Sequence, residues 1–162
     1  MNNKNAERAI DDCQNELNQI DGLIQAVGAM SPMNKYLTRY SVIKACGTIE
    51  YAFKSILSDI HSAYSTQISH FIDVKVRNSS CNPSYDNICS KIKEFDQTWC
   101  DSFKQKINST PNPNKLRSSL ASLNENRNAF AHGNGCTASF SDVKEYFSDA
   151  VEIIVKLDEV VR

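Results

Sequence analysis

Arg127, Asn128 and His132 stand close together near the end of a predicted helix, in the segment Arg-Asn-Ala-Phe-Ala-His-Gly. An imidazole changes its charge near neutral pH and can therefore accept or donate a proton in a reaction. A guanidinium stays charged and binds phosphate oxygens in pairs, which suits the negative charge that develops when a phosphodiester is cleaved. RNA carries its own nucleophile, the 2′-hydroxyl, so these residue types could cleave RNA without a metal ion. In that chemistry, Asn128 would hold the phosphate or orient His132.

The predicted helix places Arg127 on its apolar side. At 100° per residue, a single stripe of this helix carries Leu116, Leu120, Leu123, Arg127 and Ala131. A guanidinium on such a stripe must be paired or must face a wet cleft, because burying an unpaired charge is unfavourable. Arg127 could therefore be a structural residue that pairs with a carboxylate, for which Glu50 is the best candidate. In that alternative, His132 is simply a polar residue near a helix end.

The spacing between Arg127 and His132 is awkward for one ideal helix. Five residues turn a side chain by about 140° from its starting direction. The helix stop expected at Gly133 could distort the last turn, or the two side chains could meet across a two-fold axis. In the second case, the same segment from each subunit supplies two arginines and two histidines to one cleft.

Five segments of the chain have apolar residues at steps of three and four, the pattern of amphipathic helices. Their stripes cover residues 10–27, 42–60, 88–107, 116–131 and 143–161. The second helix could continue, with a kink, through Ile68, Phe71 and Ile72. No strand-like alternation of useful length and no internal repeat occur. We therefore expect an all-α fold, an antiparallel bundle of about five helices that forms one domain over residues 1–162.

Capping residues predict several boundaries of these helices. Ser31 followed by Pro32 indicates the start of the second helix, and Ser139 or Ser141 could cap the last one. A glycine directly after His132 is the usual left-handed terminator of a helix, so the fourth helix should end at Gly133. Loops are expected at residues 78–83 and 108–114.

The composition is that of a globular protein and argues against several classes of function. The net charge is −1, so a surface that coats DNA through general positive charge is not expected. The six cysteines include no Cys-x-x-Cys pair, and His132 with Cys136 lacks a matching second pair, so we expect no metal and no cofactor. The N-terminal segment has no apolar signal core, and no apolar run reaches the length of a membrane span. These features predict a cytoplasmic protein with reduced thiols and no membrane contact.

The arrangement of Arg127, Asn128 and His132 resembles the signature of HEPN domains, which is an arginine, a polar residue, a short spacer and a histidine. The segments LNENRNAFAHG and SFSDVKEYFSDAVEIIVKLDEVV are similar to the RiboL-PSP-HEPN branch of that superfamily. The resemblance extends loosely over most of the chain, including a long second helix that carries Arg39 and Glu50. It implies a helical bundle that dimerises and forms a composite, metal-independent ribonuclease site. Such domains often serve as toxins or as effectors in defence against phage.

The resemblance assigns phosphate stabilisation to Arg127, proton transfer to His132 and substrate positioning to Asn128. Attack by the 2′-hydroxyl would leave a 2′,3′-cyclic phosphate. Arg39 and Glu50 lie on one stripe of the second helix, close to three full turns apart. They could hold Arg127 in place or form a solvated or purely structural pair.

The partners expected from the sequence are RNA, a second copy of the chain, and an antitoxin or another protein of a defence system. Two alternatives to an enzyme stay open. The first is a non-catalytic module that uses the same segment to bind RNA, a nucleotide or a partner protein. The second is a helical accessory subunit of a nucleotidyltransferase.

Overall fold

A computed structural model describes residues 1–28, 30–60, 65–80 and 82–161 of the chain. Within these ranges there are seven α-helices, and a short π-helical segment, Asp73–Arg77, continues the third. The helices are α1 (Lys4–Val27), α2 (Met33–Asp59), α3 (Thr66–Ile72), α4 (Tyr85–Phe95), α5 (Gln97–Asn108), α6 (Pro113–Ala131) and α7 (Phe140–Asp158). The described residues contain no β-strand, which confirms the predicted all-α class. None of the described helices is long and apolar enough to cross a membrane.

The long helix α2 lies at the centre of the bundle and packs against α1, α6 and α7. Asn3 at the start of α1 contacts Ser55 near the end of α2, whereas Glu16 pairs with Lys44 further back along α2. The two helices therefore run antiparallel, as predicted for neighbours in the bundle. One apolar core joins side chains from all seven helices, and its largest fully buried members include Phe53, Phe103 and Phe147.

The helix predicted from the apolar stripe over residues 88–107 is divided at Asp96 into α4 and α5. Asp96 has an extended backbone (φ −156°, ψ 123°), and its carboxylate accepts hydrogen bonds from the N–H groups of Thr98 and Trp99. An aspartate in this position is a strong helix start, so a new helix begins there. The expectation of about five helices is corrected partly for this reason.

The predicted continuation of the second helix lies partly outside the described residues, which omit 61–64. Where the description resumes, Ser65 caps the separate helix α3, and its hydroxyl accepts a hydrogen bond from the N–H of Ile68 at 3.1 Å. Of the apolar residues placed on this extension, Ile72 is buried but Ile68 and Phe71 are 47% and 62% exposed. The predicted loop at residues 78–83 is non-helical where it is described, and Cys81 lies outside the described residues.

Capping predictions hold at both ends of the segment that joins α6 to α7. Helix α6 stops before Gly133, whose φ is 78°. Ser139, and not Ser141, caps α7, in a capping box where the Ser139 hydroxyl and the Asp142 carboxylate each accept a backbone hydrogen bond from the other residue. Helix α2 begins at Met33, one residue later than the Ser31 and Pro32 signal suggests.

Candidate functional site

Helix α6 ends in a glycine-terminated turn that fixes the backbone around His132. The N–H of Gly133 donates to the carbonyl of Phe130 at 3.0 Å. The N–H of Asn134 donates to the carbonyl of Ala129 at 2.8 Å. This pair of bonds, with a left-handed glycine between helix and loop, is the Schellman motif. The end of the helix is therefore well defined at the residues expected to carry chemistry.

His132 is exposed at this helix end, and its backbone N–H still donates to the carbonyl of Asn128 at 3.0 Å. That bond is the regular helical one, so the turn at Gly133 does not redirect the last residues of α6. No hydrogen bond or ion pair joins His132 to Arg127 among the described residues. Five residues along a regular helix therefore separate the directions of the two side chains by about 140° within one protomer.

Arg127 is half-buried, and its Nη1 donates to Oδ1 of Asn128 at 3.1 Å. Asn128 thus contacts both neighbours in the motif, through its side chain to Arg127 and through its carbonyl to His132. In the described part of the chain, no carboxylate forms an ion pair with Arg127. Its charge is therefore available to an anion from outside the protein, such as a phosphate.

Glu50, the carboxylate expected beside Arg127, binds a different cation. Its Oε1 lies 2.6 Å from Nζ of Lys54, one turn further along α2. Lys54 also donates to the carbonyl of Ser79, so this pair fastens the loop after the π-helical segment to α2. Glu50 and Arg127 both influence the thiol of Cys46 through their charges, but the structure places no ion pair between them in the described ranges.

Arg39 contacts the end of α6 through an aromatic ring, and not through Arg127 as expected. Its guanidinium carbon lies 5.6 Å from the ring centre of Phe130, within the range of a cation–π interaction. Phe130 belongs to the last turn of α6, so Arg39 supports the helix end that presents His132. Neither Arg127 nor Glu50 bonds to Arg39 in the described part of the chain.

A buried asparagine and a thiol join α6 to α2 beneath the site. Nδ2 of Asn124 donates to the carbonyl of Pro83 at 3.2 Å, and its Oδ1 accepts a hydrogen bond from Sγ of Cys46 at 3.2 Å. Burial raises the pKa of Cys46 to about 11, and the charge of Arg127 partly opposes that shift. The thiol stays protonated at neutral pH and can serve as the donor in this bond.

A second buried asparagine, Asn126, fastens the loop that follows the motif. Its Oδ1 accepts hydrogen bonds from the N–H groups of Thr137 at 3.0 Å and Ala138 at 3.1 Å. Its Nδ2 donates to the carbonyl of Ser122 at 2.8 Å. The sequence pattern did not predict this role. The available signal was the run of asparagines at every second position in LNENRN, which includes two positions that turn inward.

An exposed apolar stripe runs along the outer side of α2, next to α1, where the hydroxyl of Tyr40 donates a hydrogen bond to Glu16. Its members are exposed for between 45% and 66% of their surface and include Tyr36, Tyr40, Ile43 and Tyr51. They repeat at steps of three, four and eight residues, so they share one side of the helix. The sequence pattern predicted only the inward stripe of α2, because a helix with apolar residues on two sides has no single strong period.

Together, the end of α6 offers an amide, an exposed imidazole and an arginine that has no carboxylate partner in the described ranges. This set can bind a phosphate and move a proton. Among the described residues, no group of three or more histidine, cysteine, aspartate or glutamate side chains could hold a metal ion. The five described cysteines are free thiols.

The all-α bundle with an Arg-Asn-x-x-x-His segment at the end of its penultimate helix defines a class of HEPN-like domains. The model of the RiboL-PSP-HEPN family matches residues 2–162 of the chain. Since this match covers nearly the whole sequence, the chain belongs to the RiboL-PSP-HEPN family, and the predicted family resemblance is confirmed. No curated protein and no solved structure matches the chain.

Proposed function

We propose that this protein is a metal-independent endoribonuclease of the toxin or phage-defence type, acting in the cytoplasm. The observation that carries the proposal is the combination, at one end of α6, of an exposed His132 imidazole and an Arg127 guanidinium that pairs with no carboxylate of the described residues. Asn128 contacts both residues and would keep the guanidinium in position while a phosphate binds. Membership of the RiboL-PSP-HEPN family supports this proposal.

In the proposed reaction, the 2′-hydroxyl of RNA attacks the adjacent phosphorus while the neutral His132 of one subunit takes its proton. The bond from phosphorus to the 5′-oxygen breaks, and the protonated His132 of the second subunit gives a proton to that oxygen. The products are a 2′,3′-cyclic phosphate and a 5′-hydroxyl, so atoms and charge balance without a metal. Arg127 binds the non-bridging oxygens, where negative charge grows in the transition state.

A second copy of the chain would supply what one protomer lacks. Arg127 and His132 point apart along a regular helix end, so one protomer does not bring both groups to one phosphate in direct contact. A two-fold axis near the end of α6 would bring two copies of the segment to one cleft, with a guanidinium and an imidazole from each. The composite site in this proposal therefore forms in a homodimer.

The outer side of α2 from Tyr40 to Tyr51, centred on Gly47, is the surface we propose for that dimer. Ile43 and Tyr51 flank Gly47, and the three residues line a groove of about 450 Å³ between α1 and α2. A glycine inside a helix is less favourable than alanine by about 1 kcal/mol. Beyond its two chain neighbours and the nearby backbone of its own helix, no described residue has a heavy atom within 4 Å of a Cβ on Gly47, so packing within the protomer does not require the glycine. A second helix that crosses closely at Gly47 would require it.

We further propose that a partner protein of the antitoxin or defence-system kind restrains the activity, since an unrestrained ribonuclease would damage its own cell. Expression of the wild-type chain alone should then arrest growth, and expression of His132→Ala should not. Growth that is equally unaffected by both proteins, at matched expression, would argue against the toxin proposal.

The proposed function is tested by incubating purified protein with total cellular RNA in EDTA. The wild type should produce fragments, and His132→Ala should leave the RNA intact. His70→Ala is the matched control, because His70 is also an exposed histidine but lies on α3, outside the motif. Intact RNA with folded wild-type protein would favour the non-catalytic module, and cleavage by both histidine variants would remove His132 from the chemistry.

A further inference from the structure

Arg39 carries a positive charge that has no partner within the described protein except an aromatic ring. Its guanidinium lies over Phe130, with 5.6 Å between the guanidinium carbon and the ring centre. Its Nε is buried and has no hydrogen-bond acceptor among the described residues. Its Nη groups are not among the buried atoms, so the charge can bind an anion from outside the protein.

Other cations of comparable burial are satisfied by the protein itself. The partly buried or buried lysines and arginines that form ion pairs are Lys44, Lys54, Arg77, Lys91, Lys144 and Lys156. Arg117 and Arg127 donate to side-chain amide oxygens instead. In the part of the chain that the structure describes, Arg39 is the one cation of this kind with neither type of acceptor. Among these cations, the lack of an acceptor is therefore a feature of Arg39 alone in the described part of the chain.

Arg39 also lies beside the proposed catalytic segment. Cys46 contacts Asn124 and Arg39 contacts Phe130, so α2 and α6 run antiparallel and bring Arg39 to the last turn of α6. Phe130 precedes His132 by two residues in that turn. A phosphate bound by Arg39 would consequently neighbour the phosphate at the end of α6.

We propose that Arg39 binds a backbone phosphate of single-stranded RNA next to the phosphate that is cleaved. This inference rests on the proposed ribonuclease function and assigns part of its substrate-binding surface. The guanidinium carbon lies over the Phe130 ring and, of the guanidinium nitrogens, only Nε is buried, so the two Nη groups are open to a phosphate that binds them in pairs. Arg39 thus has a different role from Arg127: it holds the substrate strand, whereas Arg127 stabilises the reacting phosphate.

Two neighbours of Arg39 on α2 fit a single strand. Lys35 lies one helical turn before Arg39 on the same side of α2 and is exposed, so it adds a second positive charge beside Arg39. Tyr36 is 66% exposed and offers a ring on which an unpaired base can stack. Because the whole chain has a net charge of −1, RNA binding must come from a local cluster such as this one.

The test measures binding of a short fluorescein-labelled single-stranded RNA by anisotropy, over a range of salt concentrations, in a His132→Ala background that leaves the RNA uncut. Arg39→Met keeps an unbranched apolar chain over Phe130 but removes the charge, and it should weaken binding about tenfold. The slope of log binding constant against log salt concentration should also become less steep by about 0.7, the value for one lost phosphate contact on a single strand. Arg39→Lys should keep that slope. Arg8→Gln, which changes an exposed arginine on α1, should change neither quantity.

Unchanged binding and an unchanged salt slope in Arg39→Met would overturn the proposal, even if the protein with His132 intact cuts RNA as proposed. Equal losses in Arg39→Met and Arg39→Lys, with a lower melting temperature in both, would assign Arg39 to packing against Phe130 and also overturn it. If the parent protein does not bind the RNA and the wild type does not cut it, the proposed function itself fails, and this inference fails with it.

Discussion

The backbone N–H of Ala138 donates a hydrogen bond of 3.1 Å to Oδ1 of Asn126, and this bond ties the loop before α7 to the middle of α6. The same oxygen accepts the N–H of Thr137 at 3.0 Å. One buried amide therefore closes the loop that leaves the proposed catalytic segment. The position of His132 relative to the rest of the bundle depends on this closure, because His132 lies between Asn126 and the loop residues that it holds.

Replacing Asn126 with alanine should destabilise the protein by about 1–2 kcal/mol, because the N–H groups of Thr137 and Ala138 lose their acceptor. Water can replace that acceptor only in part, since the site is largely buried. Chemical denaturation measures the change, and hydrogen exchange at the Ala138 amide should accelerate in the same variant. Asn15→Ala is the control, because Asn15 is exposed on α1 and should change stability by less than about 0.5 kcal/mol. Equal stabilities of the two variants would show that the loop does not depend on Asn126.

Gly133→Ala should cost about 1–2 kcal/mol of stability, because a left-handed φ of 78° brings the alanine Cβ too close to its own backbone. Crowding by other parts of the protein does not contribute to this effect, since apart from its two chain neighbours no described residue has a heavy atom within 4 Å of a Cβ on Gly133. Gly135 is equally open but does not have a positive φ, so Gly135→Ala should have little effect. Thermal unfolding of the two variants separates backbone strain from simple loss of a glycine.

Local sequence signals predicted the parts of the fold that depend on neighbouring residues. The glycine after His132 and the cap of α7 act within one turn of the chain: the glycine ends α6 as predicted, and Ser139 is one of the two caps that the sequence offered. The break at Asp96 was not predicted, because Ile92, Phe95 and Trp99 keep the helical spacing across it. Periodicity reports which side of a helix is apolar and is insensitive to a kink that preserves that side.

The sequence pattern did not predict which side chains contact each other between helices. Glu50 was a candidate for Arg127 because both occupied suitable helix faces, but Lys54 lies one turn away on the same helix and forms the pair instead. That local pairing could have been anticipated from the spacing of four residues. The contact of Arg39 with Phe130 could not, since it depends on the relative positions of α2 and α6.

Gly47→Arg should convert the proposed dimer to a monomer and abolish RNA cleavage, because a long charged side chain would block the crossing of two α2 helices. The substitution should not harm the protomer, since a Cβ at Gly47 meets nothing within 4 Å and arginine is the better helix former. Gly22→Arg is the matched control: Gly22 is exposed within α1 and equally open. Analytical ultracentrifugation gives the oligomeric state. A dimeric, active Gly47→Arg would place the interface elsewhere.

Stability should fall as the pH rises from 9 to about 11, because burial raises the pKa of both Cys46 and Cys89 from 9.0 to about 11. A thiol with a raised pKa in the folded state stabilises the protein below its unfolded pKa, and this contribution is lost as pH approaches the folded value. Each thiol should account for up to about 2 kcal/mol of the decrease in the free energy of unfolding over this pH range. Urea titrations should show a shallower fall between pH 9 and 10 in Cys46→Ala and Cys89→Ala than in Cys136→Ala. Identical slopes in all three would contradict this assignment.

The chemistry of the fragment ends tests the proposed mechanism most directly. Wild-type protein and His132→Ala are incubated with single-stranded RNA in EDTA, and the new 3′ and 5′ ends are identified by mass spectrometry. We predict 2′,3′-cyclic phosphate and 5′-hydroxyl ends from the wild type alone, because the 2′-hydroxyl is the nucleophile and His132 moves the protons. Ends that carry a 3′-hydroxyl and a 5′-phosphate, or cleavage that survives in His132→Ala, would contradict the proposed role of the Arg127 and His132 site.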